Sequence, residues 1–263
     1  MSQNRNILIA FSLLLGFASC KKEGNNDNPN VAPTANLMVV HAAPVPTGFD
    51  AIHVYLDTGR VTSTAISYLG NNQATGTTGS LFYMPVIAGK RNLDVRPSLS
   101  PAVKVVDQSV SLESSRNYTY FIYDTLNTAT GRFKLLPLMD DLSQPADTSL
   151  SKIRFLHLAP GVANVDVTFV RLSGTTEVDS VTFANRPYVG STNPDVNMLS
   201  TFTNVKGGTY RARVKTPGTG TVIATINNTT SNFLNFAKGK GYTVYVTGTA
   251  KGQPLALRSV RHF

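Results

Sequence analysis

The chain has 263 residues, of which 41% are hydrophobic and only 15% charged, and it carries a formal net charge of +9. That length and apolar fraction can fill the cores of two ordinary domains and exclude a chain that is disordered by composition. The single cysteine excludes a disulfide within the chain.

Residues 1–19 read as an export signal. Arg5 supplies the positive end, residues 7–17 (ILIAFSLLLGF) the apolar stretch, and Ala18-Ser19 the small residues before Cys20. The apolar run is too short to span a bilayer, which takes about 20 residues. A lone cysteine in this setting resembles the lipobox of bacterial lipoproteins, with Phe17 departing from the usual leucine. The resemblance implies acylation of Cys20, removal of the signal and a durable membrane anchor. Residues 20–36 have almost no large apolar side chains and read as a flexible tether after the lipidated cysteine. Their CKKE start is similar to lipoproteins of the Bacteroidetes type. The implied location is the outer membrane, on its periplasmic face or at the cell surface.

Beyond the tether, alternating apolar and polar residues predict strands throughout. The first half gives 37–41, 52–56, 65–69, 81–86, 92–96, 103–112, 118–123 and 133–138. The second gives 153–157, 166–172, 178–183, 198–202, 209–215, 222–226, 233–236, 242–248 and 255–262. Short strands at this spacing predict an all-β chain: two tandem antiparallel β-sandwich domains, immunoglobulin-like or transthyretin-like. The expected boundaries are 37–139 and 152–263, with 140–151 as linker and Asp140-Asp141 as a solvated turn.

The halves repeat each other. LMVVHAAPVPTGFDAIHVYL (37–56) is echoed by IRFLHLAPGVANVDVTFV (153–170), so that His41 and Asp50 recur as His157 and Asp166, 116 residues on. VIAGKRNLDV (86–95) matches VKGGTYRARV (205–214), with Gly89 and Gly207 or Gly208 expected at positive φ. NYTY (117–120) matches GYTV (241–244), which predicts Tyr118 and Tyr242 as tyrosine corners that bond nearby backbone. The VHAAP…D…VYL opening, the P-V-I-A-G turn and the YT strand together resemble the bacterial "domain of unknown function 4397" family, from about Leu37 to the C-terminus. The resemblance implies a secreted or lipid-anchored protein with two β-sandwich repeats, and it brings no established activity to transfer.

His41/Asp50 and His157/Asp166 are the repeated ionisable pairs. Such a pair can orient a nucleophile or supply half a metal site. It can equally be structural, the ring bonding a loop carbonyl and the carboxylate capping a turn, and this second role is the one expected. The sequence has no GxSxG, P-loop, HExxH or GxGxxG motif, so neither catalysis, a cofactor nor a metal is expected.

Residues 36–139 carry eight Lys/Arg against six Asp/Glu, whereas residues 151–263 carry thirteen against four. Within that excess Arg211, Arg213 and Lys215 alternate with Ala212 and Val214, which puts all three on one exposed strand face. The stripe could contact an anionic glycan or lipopolysaccharide, or simply keep an exposed strand soluble. Tyr68, Tyr83 and Tyr188 lie near loops and could stack on sugars. The expectation is a non-catalytic, lipid-anchored cell-envelope protein acting as a structural or interaction module, with the membrane and envelope proteins or anionic glycans as its expected partners. The alternative is an anionic-glycan or lipopolysaccharide binder through the basic face, with a glycan-processing enzyme behind both. Nucleic acid is not an expected partner, because no recognition motif accompanies the charge.

Overall fold

Strands dominate because apolar residues recur at every second position and Gly, Asn and Asp break the runs. A computed structural model describes residues 32–44, 49–72, 83–191, 195–225, 234–248 and 253–263. The predicted signal, Cys20, the tether, and the predicted strand positions 81, 82, 226 and 233 lie outside the described residues. The first half contains β1 (Thr34–His41), β2 (Ala51–Leu56), β3 (Gly59–Arg60), β4 (Ile66–Ser67), β5 (Met84–Ile87), β6 (Gly89–Pro97), β7 (Val106–Leu112), β8 (Asn117–Asn127) and β9 (Arg132–Met139). The second contains β10 (Leu150–His157), β11 (Val165–Ser173), β12 (Thr176–Arg186), a 3₁₀ turn (Val189–Ser191), α1 (Val196–Ser200), β13 (Thr203–Lys206), β14 (Gly208–Lys215), β15 (Val222–Thr225), β16 (Leu234–Phe236), β17 (Gly241–Thr247) and β18 (Ala256–Arg261). Among the described residues no helix is long and apolar enough to cross a membrane.

Each half is a two-sheet sandwich. The first sets β5-β1-β8-β9 against β3-β2-β6-β7; the second sets β13-β10-β17-β18 against β12-β11-β14-β15. Strand order corresponds position by position. The all-β sandwich fold is as the sequence predicts, with one refinement: β1 pairs with β8 and β10 with β17 in parallel, while every other pairing is antiparallel.

Three cores hold these sheets together. Leu37, Val39, Val54, Val95, Tyr120 and Ile122 fill the first sandwich, and Ile153, Val167, Phe169, Ala212, Val244 and Phe236 the second. The third lies between the halves. Met38, Val40, Phe121, Leu136 and Leu138 of the first pack against Leu156, Leu158, Tyr245 and Val260 of the second. Burying a large apolar side chain contributes roughly 1.5–3 kcal/mol relative to leaving it exposed. A seam of this size therefore joins the halves into one body, and Ala32–Phe263 form a single compact unit. The central strands are buried on both faces; every residue of β17 is buried.

Two local expectations fail. Residues 198–202, predicted as strand, instead end a short helix, α1. Asp195 caps it, accepting from the backbone N–H of Asn197 and Met198 at 3.0 and 3.2 Å. Val196 and Met198 are exposed on it, so their apolar character signals no buried strand. Asp140, predicted in a solvated turn, is buried at the seam, whereas Asp141 beside it is exposed.

Other details follow the sequence. Tyr118 accepts from the Glu113 N–H and Tyr242 from the Ala237 N–H, each at 3.0 Å and five residues upstream, so both tyrosine corners are present. Gly89 and Gly208 adopt φ of +110° and +151°, conformations that side-chain-bearing residues rarely take.

Candidate functional site

The repeated histidines end β1 and β10 and turn inward. His41 Nε2 donates to the Phe49 carbonyl at 3.2 Å, and His157 Nε2 donates to the Ala163 carbonyl at 3.0 Å. His157 Nδ1 also accepts from the Ala159 N–H at 3.3 Å, which fixes a neutral ring with its proton on Nε2. Burial lowers both pKa values, that of His41 to about 4. Asp166 accepts from the Asn185 N–H at 2.6 Å, and Asp50 is exposed. Both Nε2 positions are therefore spent on loop carbonyls. Among the described residues, no group of three or more His, Cys, Asp or Glu side chains could hold a metal ion.

Arg211, Arg213 and Lys215 do share the outward face of β14, since Tyr210, Ala212 and Val214 fill the core between them. The carboxylate of Glu177, at the start of β12, sits against this stripe. Arg211 Nη1 lies 3.2 Å from its Oε1, and the Arg213 guanidinium pairs with the same carboxylate. Asp166 is in register with Lys215 on the neighbouring strand. Both arginines share this one carboxylate, so part of their charge is offset and the field the stripe presents to an anion is lowered.

The three tyrosines near loops are used in packing. Tyr83 is buried in the seam, Tyr68 sits edge-on to His41 at 5.9 Å, and Tyr188 packs on His157 and Tyr123.

Sequence reasoning missed a buried polar cluster in the seam. Tyr83, Thr119 and Asp140 come from the first sandwich, and Arg154, Thr243 and His262 from the second. Arg154 Nη2 lies 2.6 Å from Asp140 Oδ1, with both side chains almost wholly buried. Thr119 and Tyr83 hydroxyls donate to Asp140 Oδ2 at 2.6 and 3.0 Å. Tyr83 has then used its only proton, so its oxygen accepts from His262 Nδ1–H at 2.7 Å. On the far side Arg154 Nε donates to Thr243 Oγ1 at 2.6 Å, so Thr243 donates in turn to His262 Nε2, also at 2.6 Å. The hydrogen bonds run Arg154–Thr243–His262–Tyr83–Asp140 with every donor direction fixed, and the Arg154–Asp140 ion pair closes the circuit. Burial, reinforced by the Arg154 charge, holds the His262 pKa well below its ordinary value. The Phe202 ring covers the Arg154 guanidinium at 4.7 Å. Outside Phe202 lies an open groove of about 670 Å³, with Arg116, Asp141, Lys152 and Ser200 on its walls.

The circuit sits on the repeat. Thr119 is in register with Met38 as Thr243 is with Arg154, and Asp140 follows β9 as His262 follows β18. Both backbones bond alike, Asp140 N–H to the Asn117 carbonyl and His262 N–H to the Gly241 carbonyl. One structural position thus holds an acid in one half and a histidine in the other. Arg154 could have been suspected from IRFLHL, where both alternate sets are largely apolar and the strand must be buried on two sides.

Among curated proteins, nothing matches the chain. Solved structures of low similarity include the TIE protein of Bacillus anthracis, at 9% identity and a TM-score of 0.23, matched over 83% of this chain and 34% of that one. The chain thus spans about a third of that protein's length. Another is a family CBM26 module, CBMbc of Eubacterium rectale Amy13K, in complex with maltoheptaose, at 11% identity and a TM-score of 0.23, over 86% of this chain and 97% of that one. A leucine-rich repeat protein from Bacteroides thetaiotaomicron matches at 9% identity and a TM-score of 0.18, over 85% and 27%. Superpositions this loose say nothing about a shared ligand. The family comparison is of another kind, matching residues 35–168, from β1 into β11 and a little over half of the chain. By that match, and by the repeated strand motifs it covers, the chain belongs to the family described as domain of unknown function (DUF4397).

Proposed function

We propose that the chain is a non-catalytic, lipid-anchored protein of the cell envelope, a structural or interaction module held at the outer membrane through Cys20. The observation that carries the non-catalytic part is the fate of the repeated histidines. Both rings are buried and bonded to loop carbonyls, where they shape the turns after β1 and β10. The anchor rests on the apolar run ending in Ala18-Ser19-Cys20. Labelled palmitate should be incorporated into the wild-type protein and lost from Cys20→Ala, which should also shift from the membrane to the soluble fraction. Label retained by Cys20→Ala overturns this anchor.

A second reading makes the outward face of β14 a contact for anionic glycan or lipopolysaccharide, favoured by the alignment of Arg211, Arg213 and Lys215 on that face. Glu177 already engages the two arginines, so the expected affinity is weak and strongly dependent on salt. Retention on heparin at low ionic strength, reduced in Arg211→Ala/Arg213→Ala, supports it. Elution of the wild-type protein in the void volume at low salt removes it.

A further inference from the structure

The described chain begins at one end of the body. The Pro33 carbonyl accepts from the Ala88 N–H, and that of Thr34 from the Ser115 N–H, so the tether enters beside the β5–β6 and β7–β8 turns. Side-chain and backbone contacts carry this end surface across the seam. Arg116, Asp141 and Lys152 line one groove. The Lys152 N–H bonds the Lys240 carbonyl, the Gly239 N–H the Leu150 carbonyl, and the Gly207 N–H the Ser149 carbonyl. Lys206 is in register with Leu150, and Arg261, just before His262, completes the surface.

This end carries Lys90, Arg91, Arg116, Lys152, Lys206, Lys238, Lys240 and Arg261. The carboxylates facing them are Asp57 on Arg91, Glu113 on Arg116, Asp141 on Lys152 and Asp179 on Lys206, together with Asp147, which bonds the Ser149 N–H. Among the described residues, Lys90, Lys238 and Lys240 have no carboxylate within ion-pair distance. They stand at the end where the chain leads off toward Cys20. Even fully extended, the twelve residues from there to Ala32 reach at most about 40 Å.

Resting on the anchor proposed above, we infer that this end is a membrane-docking face, in which Lys90, Lys238 and Lys240 contact the anionic headgroups of the bilayer that holds the acylated Cys20. Anchor and lysines act together: the acyl chain keeps this end near the surface, and each lysine gains from the negative surface potential within a Debye length. The turns after β1 and β10, at the opposite end, then face away from the membrane.

The test uses the full mature chain carrying Cys20→Ala, so that no acyl chain contributes, in sedimentation with phosphatidylcholine vesicles with and without phosphatidylglycerol. Binding is expected at low salt to the anionic vesicles alone. It should fall by roughly a hundredfold in Lys90→Gln/Lys238→Gln/Lys240→Gln, since each lysine near such a surface is worth about a fivefold change. Arg186→Gln, in register with Val165 near the turn after β10 at the opposite end, should leave it unchanged. Equal binding to neutral vesicles, no binding, or loss only in the arginine variant overturns the docking face. Palmitate labelling reads the anchor separately: an acylated wild-type protein whose Cys20→Ala form ignores anionic vesicles keeps the anchor and loses the docking face.

Discussion

Arg154→Met is expected to cost the native state about 3–5 kcal/mol, the range for removing one partner of a buried ion pair. The replacement fits, because Met38 fills the corresponding place in the first half. The loss is therefore electrostatic more than steric. With the guanidinium gone, the Asp140 carboxylate stays buried and keeps only the Tyr83 and Thr119 hydroxyls. Thr243 loses the donor that orients it, and with it the fixed direction of the circuit through His262. Adding Asp140→Asn should recover much of the stability, because the uncompensated charge is then absent. The four proteins form a double-mutant cycle readable from urea midpoints at constant m-value. A single-variant cost below about 1 kcal/mol would mean that the apolar part of the seam holds the halves without the circuit.

Acid should weaken the fold well above the range in which its carboxylates titrate. Three buried histidines, His41, His157 and His262, have folded pKa values below the ordinary 6.5. As pH falls below about 6.5 the unfolded chain takes up protons that the native state refuses. Each such histidine then removes roughly 1.4 kcal/mol of stability per pH unit. For His41 the effect ends near its folded value of about 4, after a total loss of about 3 kcal/mol. Asp141, held at about 2 by Lys152, is shifted in the same direction for a different reason, its charged form being favoured, and removes stability between about 4 and 2. The decline from pH 6.5 to 4 is thus due to the histidines. Urea midpoints measured across that interval should fall, and His262→Asn should show a shallower slope whatever its absolute stability. A flat profile between pH 7 and 5 would mean that these rings take protons in the folded state.

How much could be read from the residues depends on how many faces of a strand are buried. β2 (AIHVYL) has one face in the core and one partly open, and β14 alternates likewise, so period two located both strands and their outward faces. β10 and β17 are buried on both sides, and there alternation carries no information about exposure. Arg154 and Thr243 are the polar centre of a dry face, and only the apolar run on both alternate sets of β10 hints at it. Asp140 was missed for a related reason. Its neighbours Asp141, Ser143 and Gln144 have linker composition, and only the packing of the two sheets brings Arg154, 14 residues on in sequence, to it. The family of Tyr118 and Tyr242 was legible because a tyrosine corner is local, its partner five residues away. α1 was not, because its apolar residues face outward and its start depends on one capping carboxylate.

The parallel pairing of β1 with β8 bears on the anchor proposed at Cys20. A pull transmitted along the tether would act along the axis of β1, which lies inside its sheet between β5 and β8. Six residue pairs join β1 to β8 and four join it to β5. Tension along the strand would load those hydrogen bonds together, in shear, instead of peeling them one after another from an edge. The strand that receives the leash is thus among the hardest to extract, and drag on whatever the far end holds would be spread through the centre of the body.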